Sequence, residues 1–408
     1  MSEKSPAAPA SLLLLFTLSA LAMLGPFTTD TYFPFFPDME AYFSISQTQA
    51  QLSLTVYLLT STLMMLFHGA FSDSWGRKPV IVWTLLGFVL SSLACAWVQD
   101  YNSLLLFRAM QGLFVGAGTV VGQAMIRDRF SGVAAQKIIA QVTMLFGLAP
   151  AIAPLAGGLL HAFFPWQSSF YLLAGLGLML LLVCLFSLDE SLPASKRQPF
   201  QLLTLLANYG AIAREPRFLA LAGCIAAGFG GFLIYVGGAP DFVFRVLHLS
   251  AMQFGWLFIP IVIGLMTGSA LVTRLTGKVS NGRLINISFV LMGLAACFNL
   301  LYQFLISADS HWPGWPMLQV LPVLVYTFGL TFLIPGVMVL ALDLFPEKRG
   351  TAASIQAFIQ MLVFVLLSAL VVPLVLGSGL RYAMAMLAMF LLNLLCWTIY
   401  RVYQRKSG

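Results

Sequence analysis

Two charged residues, Asp30 and Arg108, lie inside long apolar runs of this 408-residue sequence. A charged side chain at the centre of a membrane helix costs about 2.5–3.5 kcal/mol on insertion scales, so such residues mark substrate, ion or proton pathways. We expect Asp30, in the run GPFTTDTYFPFFPDM, to bind and release a proton and to attract cationic substrates. The alternative is an acid near a helix end whose side chain extends to the outer surface, where Pro26 and Pro34 permit a kink.

Arg108 is the only base that lies well inside a predicted helix. Counted at about 1.5 Å per residue from the predicted outer ends of their helices, Asp30 and Arg108 lie at similar depths. The two opposite charges are therefore predicted to interact, either directly or through water or a polar side chain. The alternative is a structural arginine whose guanidinium is bonded to backbone carbonyls.

The composition shows what kind of fold must position these residues. Hydrophobic residues make up 60% of the chain and charged residues 9%, against roughly 45–50% and 25% in soluble proteins. A soluble fold of this length needs far more charge to cover its surface, so a soluble enzyme is excluded. The net charge of +7 is spread in short groups between apolar runs, which excludes a nucleic-acid-binding patch and indicates a polytopic protein of the lipid bilayer.

Twelve segments are apolar enough to span a bilayer, which requires about 20 mostly apolar residues. They are 11–36, 48–70, 79–98, 103–126, 138–162, 168–187, 217–239, 251–273, 284–306, 316–341, 350–376 and 380–402. The longest polar gap, 188–216, divides them into six plus six helices. We therefore predict an all-α membrane protein with an N-terminal bundle over 1–190, a cytoplasmic linker over 191–215 and a C-terminal bundle over 216–408.

The distribution of Lys and Arg indicates which side of the membrane each loop faces, because cytoplasmic loops are enriched in these residues. With both termini in the cytoplasm, all but three of the 21 Lys and Arg residues fall on the cytoplasmic side. The three exceptions are Arg245 and Arg381 on the outer side and Arg108 inside a helix. Both termini are therefore predicted to be cytoplasmic.

Residue types that serve enzymes and metal sites lack the required spacing. The five cysteines lie in apolar runs without a CxxC pair, and the four histidines (His68, His161, His248 and His311) lie at predicted helix ends or in outer loops. The sequence contains neither a Walker motif nor a Ser, His and Asp arrangement typical of a hydrolase. We therefore predict no metal, no cofactor and no enzymatic activity.

Two short segments combine glycine with charge or proline in a way that fits a moving helix contact. In the loop GAFSDSWGRK, 69–78, Gly69 and Gly76 permit tight turns, and Arg77 and Lys78 are expected at the cytoplasmic surface. The run GLAPAIAPLAGGLL in the fifth helix predicts a bend that packs closely against a neighbouring helix. The alternatives are a plain surface turn and a kinked helix that only packs.

With these motifs the chain resembles the major facilitator superfamily over its full length, and within it the Bcr/CflA branch of drug:proton antiporters. GAFSDSWGRKPV is similar to the family signature between the second and third helices, RAMQG to the fourth-helix signature and APAIAPLAGG to the fifth-helix antiporter signature. DTYFPFFPDM and DLFPEKRGTA are typical of this branch. The matched residues of the conformational motifs are Gly69, Asp73, Gly76, Arg77, Lys78, Gly112, Arg127, Asp128, Pro154, Gly157 and Gly158.

The resemblance implies two six-helix bundles around a central cavity that opens alternately to each side of the membrane. It implies a functional monomer in the bacterial cytoplasmic (inner) membrane that exports lipophilic neutral or cationic drugs in exchange for protons, with Asp30 and Arg108 coupling the two movements. Its partners are then a small-molecule substrate, protons and lipid, and not nucleic acid. The predicted substrate-cavity residues are Phe27, Tyr32, Tyr57, Gln111, Phe114, Phe146, Phe232 and Tyr235.

The sequence departs from the family pattern at Ser74, where relatives carry an Arg, and at Ala22, where some carry a second acid. Asp30 is then the single acid within the membrane part of the first helix, which argues against export of divalent cations or exchange for two protons. Two other functions stay open at this point. One is a dedicated proton-coupled exporter of an endogenous metabolite, such as a siderophore, an amino acid derivative or a sugar; the other is a non-transporting membrane receptor.

Overall fold

The computed structural model describes residues 12–130, 132–308, 316–346 and 348–407. Within these residues, twelve helices are long and apolar enough to cross a membrane, which confirms the predicted all-α membrane fold. Numbered in chain order, helices 1 to 12 are Leu12–Phe43, Gln47–Trp75, Arg77–Trp97, Tyr101–Arg129, Lys137–Phe163, Gln167–Ser187, Pro216–Gly237, Ala251–Leu275, Asn281–Ile306, Pro316–Asp343, Arg349–Val375 and Gly379–Arg405. The sidedness of the termini stays a prediction.

Helix 1 is longer than its predicted segment because it continues in other helical forms. The α-helix Leu12–Asp30 is followed by a 3-10 turn, Phe33–Phe35, and by a second α-helix, Phe36–Phe43. A proline lies in the first turn of each of the last two pieces, where a missing backbone N–H costs no hydrogen bond. These prolines therefore begin new helical pieces and do not end the span.

Helices 4 and 5 are interrupted part of the way along their length. Helix 4 consists of Tyr101–Val115 and Ala117–Arg129, separated by Gly116. Helix 5 is interrupted at 147–148, by a turn at the glycine that opens its proline-rich run. The irregularity predicted for helix 5 is thus present, while Pro154 is accommodated inside a continuous helical piece.

Contacts divide the chain into two units. Unit 1 comprises Met1–Ile45 and Val56–Gln201, and unit 2 comprises Ser46–Thr55 and Leu202–Gly408. The first turns of helix 2 therefore pack with the residues of unit 2. The predicted linker is not entirely irregular, because a 12-residue apolar helix, Leu202–Ala213, forms within unit 2. It is too short to span a bilayer, which takes about 20 residues.

Glycines let helices of unit 1 pack with their backbones in close contact. A Cβ atom added at Gly112 in helix 4 would lie 2.3 Å from the carbonyl oxygen of Tyr57 in helix 2. A Cβ atom added at Gly118 would lie 2.5 Å from the carbonyl oxygen of Leu21 in helix 1. Helix 4 therefore touches helices 1 and 2 along stripes of small residues, as is common in membrane bundles.

Candidate proton and substrate site

Asp30 is the last residue of the first α-helical piece of helix 1 and is 3% exposed. Its Oδ1 atom accepts a hydrogen bond of 2.7 Å from the hydroxyl group of Thr29. The carboxyl group therefore does not reach the surface of unit 1. Because the span continues to Phe43, Asp30 also lies further from the end of helix 1 than the predicted segment indicates.

Helix 5 packs directly against the backbone of helix 1 next to Asp30. A Cβ atom added at Gly157 would lie 2.5 Å from the carbonyl oxygen of Thr31 and 2.9 Å from its Cα atom. Only glycine permits this approach of helix 5 to the end of the α-helical piece of helix 1. The neighbouring hydroxyl groups of Thr28 and Thr31 bond to carbonyl oxygens one turn earlier in helix 1. Helix 5 thus holds the backbone next to the candidate proton-binding group.

Arg108 is completely buried in unit 1 among aromatic rings. Its Nη1 atom donates to Gln111 Oε1 at 2.5 Å, and Gln111 Nε2 donates to Ser92 Oγ in helix 3 at 2.8 Å. The guanidinium carbon lies 4.6 Å from the ring centre of Tyr32 and 4.5 Å from that of Tyr57. Such stacking stabilises a desolvated cation by about 2 kcal/mol. Hydrogen bonds from Arg108 to backbone carbonyls, the structural alternative, are not present among the described residues.

Tyr57 connects the two buried charges. Among the described residues, Asp30 and Arg108 form no direct ion pair, but Tyr57 lies within electrostatic reach of both. The phenol group of Tyr57 donates to the carbonyl oxygen of Gly25 in helix 1 at 3.2 Å. The direct pair is therefore not formed, and Tyr57 is a polar side chain near both charges.

Arg77 forms the centre of a charge cluster at the predicted cytoplasmic end of unit 1. Its guanidinium donates to Asp73 at 2.5 Å, to Asp128 at 2.9 Å and to the hydroxyl group of Ser72 at 2.7 Å. The expectation that Arg77 lies at the surface is wrong, because its side chain is 8% exposed. The three bonds satisfy the buried cation and tie helices 2, 3 and 4 together.

Glu190 is a member of this cluster that sequence reasoning missed. Its carboxylate accepts hydrogen bonds from the backbone N–H groups of Arg77 and Lys78, at 3.0 and 3.3 Å, at the start of helix 3. A carboxylate is favourable there because the N-terminal N–H groups of a helix carry partial positive charge. Gly76, with φ at 104°, makes the preceding turn possible. The one feature of the sequence that could have indicated this role is that Glu190 is an acid in the polar gap after helix 6.

The other motif residues occupy varied places in unit 1. Lys78 Nζ donates to the carbonyl oxygen of Leu185 in helix 6 at 2.8 Å. Arg127 is exposed in the last turn of helix 4, next to Asp128. Gly69 faces Val120 in helix 4, and Gly158 is buried in helix 5.

The aromatic residues predicted to line a substrate cavity differ in how deeply they are buried. In unit 1, Tyr32 and Tyr57 are buried against Arg108, whereas Phe27 is half-buried. The ring of Phe114 packs over Gly87 in helix 3, which leaves no room for a Cβ atom there. Phe146 borders a partly open cavity of about 180 Å³ between helices 1, 4 and 5. The other lining residues are Leu18, Ala22, Gly118, Thr119, Gly122, Gln123, Val142 and Thr143.

In unit 2, the predicted cavity residues lie in the interior. The hydroxyl group of Tyr235 accepts a hydrogen bond of 2.6 Å from Asn299 in helix 9, and its ring contacts Phe242 and Tyr382. Phe232 is 6% exposed and contacts Phe229 of its own helix.

The histidines and acids of the described residues are placed apart from one another or in pairs. No group of three or more His, Cys, Asp and Glu side chains is placed to hold a metal ion there. His161 pairs with Asp38 at 3.1 Å, and His68 is buried within helix 2, which corrects its predicted place at a helix end. His311 and Glu347 lie outside the described residues.

Comparison with known proteins gives a consistent set of relatives. The sequence profile of the Major Facilitator Superfamily matches residues 15–368. The uncharacterized MFS-type transporter YdgK of Bacillus subtilis is 30% identical over 90% of both chains. The bicyclomycin resistance protein homolog of Haemophilus influenzae is 28% identical over 87% of both chains. The multidrug transporter MdfA of Shigella boydii is 27% identical over 76% of this chain and 74% of its own.

A solved structure has the same fold at much lower sequence identity. A bacterial homolog of the human lysosomal transporter Spinster matches with a TM-score of 0.73, at 16% identity, over 98% of both chains. This likeness concerns the fold alone.

Proposed function

This chain belongs to the Major Facilitator Superfamily, and we propose that it exports lipophilic neutral or monocationic compounds in exchange for protons. Membership makes the chain a small-molecule transporter and not an enzyme, and a multi-pass protein of the bacterial inner membrane. Several relatives are named for drug resistance or multidrug transport, which supports the proposed substrate class. The proposed functional unit is the monomer, with both termini in the cytoplasm.

The observation that carries the proposal is the buried carboxyl group of Asp30. It lies where helix 1 loses its α-helical form, with the Thr29 hydroxyl as its hydrogen-bond donor and without an ion-pair partner among the described residues. A buried carboxylate without a paired cation is costly, so neutralising it by a proton or by a bound cation is favourable. One residue can therefore alternate between proton and substrate.

The proposed cycle follows from this alternation. Substrate binds from the cytoplasm or the inner leaflet while Asp30 is deprotonated. After the carrier opens outward, a proton from outside displaces the substrate, and the protonated carrier returns and releases the proton inside. One pH unit is worth about 1.4 kcal/mol and 100 mV about 2.3 kcal/mol per charge moved, enough to sustain a substrate gradient.

Arg108 has the proposed role of responding to the charge on Asp30. Its guanidinium is held by Gln111 and by the ring of Tyr57, which lies within electrostatic reach of Asp30. Its Nε and Nη2 atoms have no hydrogen-bond partner among the described residues. When Asp30 loses its proton, the attraction between the two charges strengthens, so the surroundings of Tyr57 differ between the two protonation states.

The test uses purified protein in liposomes with an imposed pH gradient. We expect Asp30→Asn to abolish proton-driven efflux of a neutral compound, because an amide cannot carry a proton, and Asp30→Glu to retain part of it. Asp100→Asn is the matched control, since Asp100 is an exposed acid in a loop and Asn preserves its capping of helix 4. Wild-type efflux by the Asp30→Asn protein would refute the proposal.

The substrate is sought in living cells that produce the wild-type protein or the Asp30→Asn variant. An expressing strain is grown with chemically diverse neutral, cationic and anionic compounds, and tolerance is compared between wild type and Asp30→Asn. We expect wild-type-dependent tolerance to lipophilic neutral and monocationic compounds. Tolerance confined to anions or sugars would contradict the proposed substrate class.

A further inference from the structure

The interruption of helix 4 has a specific geometry. At Gly116 the backbone has φ −72° and ψ −14°, whereas an α-helix has ψ near about −42°. Arg108 and Gln111 lie in the piece before this glycine, and Asp128 lies in the piece after it. A change of backbone angles at Gly116 would therefore move the surroundings of Arg108 relative to the Arg77 charge cluster.

His68 of helix 2 lies directly against this interruption. A Cβ atom added at Gly116 would be 3.3 Å from the Nδ1 atom of His68 and 3.5 Å from its Cε1 atom. The imidazole is 1% exposed, and neither of its nitrogen atoms has a hydrogen-bond partner among the described residues. The backbone of Leu113 in helix 4 is the polar group close enough to influence the ring, although neither ring nitrogen forms a hydrogen bond of normal geometry with it.

The charged groups nearest to His68 along the packed helices are committed to other partners. On its own helix, Asp73 is paired with Arg77. On helix 4, Arg108 is bonded to Gln111 and stacked on Tyr32 and Tyr57. Burial and the Leu113 carbonyl are the influences on the imidazole, and no charged side chain of the described residues is among them.

The surroundings of His68 are uncharged, so the imidazole can be protonated only if the neighbouring backbone moves. An imidazolium buried without a counter-charge or acceptor is costly. Proton uptake at His68 therefore requires a rearrangement that gives the ring an acceptor. The Leu113 carbonyl lies one turn before the interruption, where a small change of backbone angles at Gly116 can bring it into hydrogen-bond range.

We infer that His68 is a second proton-binding residue of the transport cycle, and that its protonation is coupled to movement of helix 4 about Gly116. This inference rests on the proposed proton exchange and extends it from Asp30 in helix 1 to a second group in helix 2. It therefore departs from the single-proton exchange that the lone acid of helix 1 suggests. Protonated His68 donates to the Leu113 carbonyl, and release of the proton allows helix 4 to return.

The first experiment compares pH profiles of exchange in liposomes for wild type, His68→Gln and His161→Gln. His161 is the control because it is a partly exposed histidine paired with Asp38. If two coupled protons drive exchange in the wild type, the exchange rate changes about a hundredfold per pH unit on the steepest part of its pH profile. Loss of one proton site reduces this change to about tenfold per pH unit. We expect the reduced slope for His68→Gln and the wild-type slope for His161→Gln. An unchanged slope in folded His68→Gln protein would overturn the inference.

The second experiment observes the imidazole itself and does not require a stable His68 variant. Replacing His161, His248 and His311 with Gln leaves His68 as the single histidine of the four. In ¹⁵N-histidine-labelled protein, the ring resonances of His68 are followed from about pH 5 to 9. We expect these resonances to titrate between the neutral and the protonated imidazole. A single neutral tautomer across this range would overturn the inference.

The two proposals fail in distinguishable ways. If the wild-type protein shows no proton-driven exchange with any compound, the proposed function fails, and the resonances alone decide whether His68 binds a proton. If wild-type exchange is present while His68→Gln keeps its slope and the resonances do not titrate, the proposed function stands and the role of His68 fails.

Discussion

The hydroxyl oxygens of Thr55 in helix 2 and Ser368 in helix 11 lie 2.9 Å apart within unit 2. Gln51 Nε2 donates to the same Ser368 oxygen at 2.9 Å, and Gln47 Nε2 donates to Asp241 Oδ1 at 2.9 Å. Residues 47, 51 and 55 follow the four-residue spacing of one helix face. Ser368 lies in a π-helical turn, and Asp241 immediately precedes another. Such turns occur frequently at functional sites, so this face of helix 2 is bonded to irregular, adaptable backbone.

Removing the shared hydroxyl group should weaken this contact measurably. Ser368→Ala leaves the amide of Gln51 and the hydroxyl of Thr55 without their common partner, and an unsatisfied buried group costs about 1–3 kcal/mol. We expect a lower unfolding temperature in detergent. Ser354→Ala in the same helix is the control, because Ser354 is exposed and bonds only to its own helix carbonyl. Equal unfolding temperatures for the two variants would contradict this view of Ser368.

Gly157 should tolerate no side chain. In Gly157→Ala the new methyl group meets the carbonyl oxygen and Cα atom of Thr31 below 3.0 Å, so helix 5 must move away from the Asp30 region. Overpacking of this kind costs about 1–3 kcal/mol, and we expect slower transport as well as lower stability. Gly175→Ala is the matched control, since nothing lies within 4 Å of its Cβ position. The prediction fails if both variants transport at the wild-type rate.

Loss of the charge at Arg108 should move the pH dependence of transport in a defined direction. The positive charge of Arg108 lies against Tyr57, which itself lies near Asp30, and a nearby positive charge favours the ionised carboxylate. Without this charge, the proton should be taken up at a higher pH. We expect the midpoint of protonation-linked substrate release to become more alkaline in Arg108→Ala. A midpoint that moves by one pH unit corresponds to a change of about 1.4 kcal/mol in the free energy of proton binding.

The control for this prediction is Arg108→Lys, which keeps the charge but loses the planar stacking on Tyr32 and Tyr57. Its midpoint should lie closer to that of the wild type. An unmoved or more acidic midpoint in folded Arg108→Ala protein would show that the two charges do not communicate.

The two acids that hold Arg77 should differ in importance. The side chain of Asp128 is 20% exposed and that of Asp73 is 51% exposed, so solvent screens the second ion pair more strongly. We expect Asp128→Asn to slow transport and lower the unfolding temperature more than Asp73→Asn does. Substrate affinity should change little in either variant, because Asp73 lies about 24 Å along helix 2 from Tyr57 at 1.5 Å per residue. The reverse order of effects would show that burial does not set their importance.

The positions of the spans and of the two intramembrane charges followed from the sequence. A bilayer requires about 20 apolar residues in a form that satisfies every backbone group internally, so hydropathy alone predicts twelve helices. Asp30 and Arg108 stood out for the same reason, because a charge in such a run is costly and is rarely present without a function. The glycine of helix 5 was found as part of a motif, but its contact with Thr31 was not.

The tertiary structure decided which of these groups meet. Asp30 and Arg108 share Tyr57 and do not form an ion pair, Glu190 returns to the start of helix 3, and His68 lies against the interruption of helix 4. Each of these contacts joins residues far apart in the chain. They depend on the rotation of each helix about its axis and on where a helix is interrupted. The apolar composition of a span sets neither, because lipid accepts every rotation of a uniformly hydrophobic helix, and only packing against the neighbouring helices selects one.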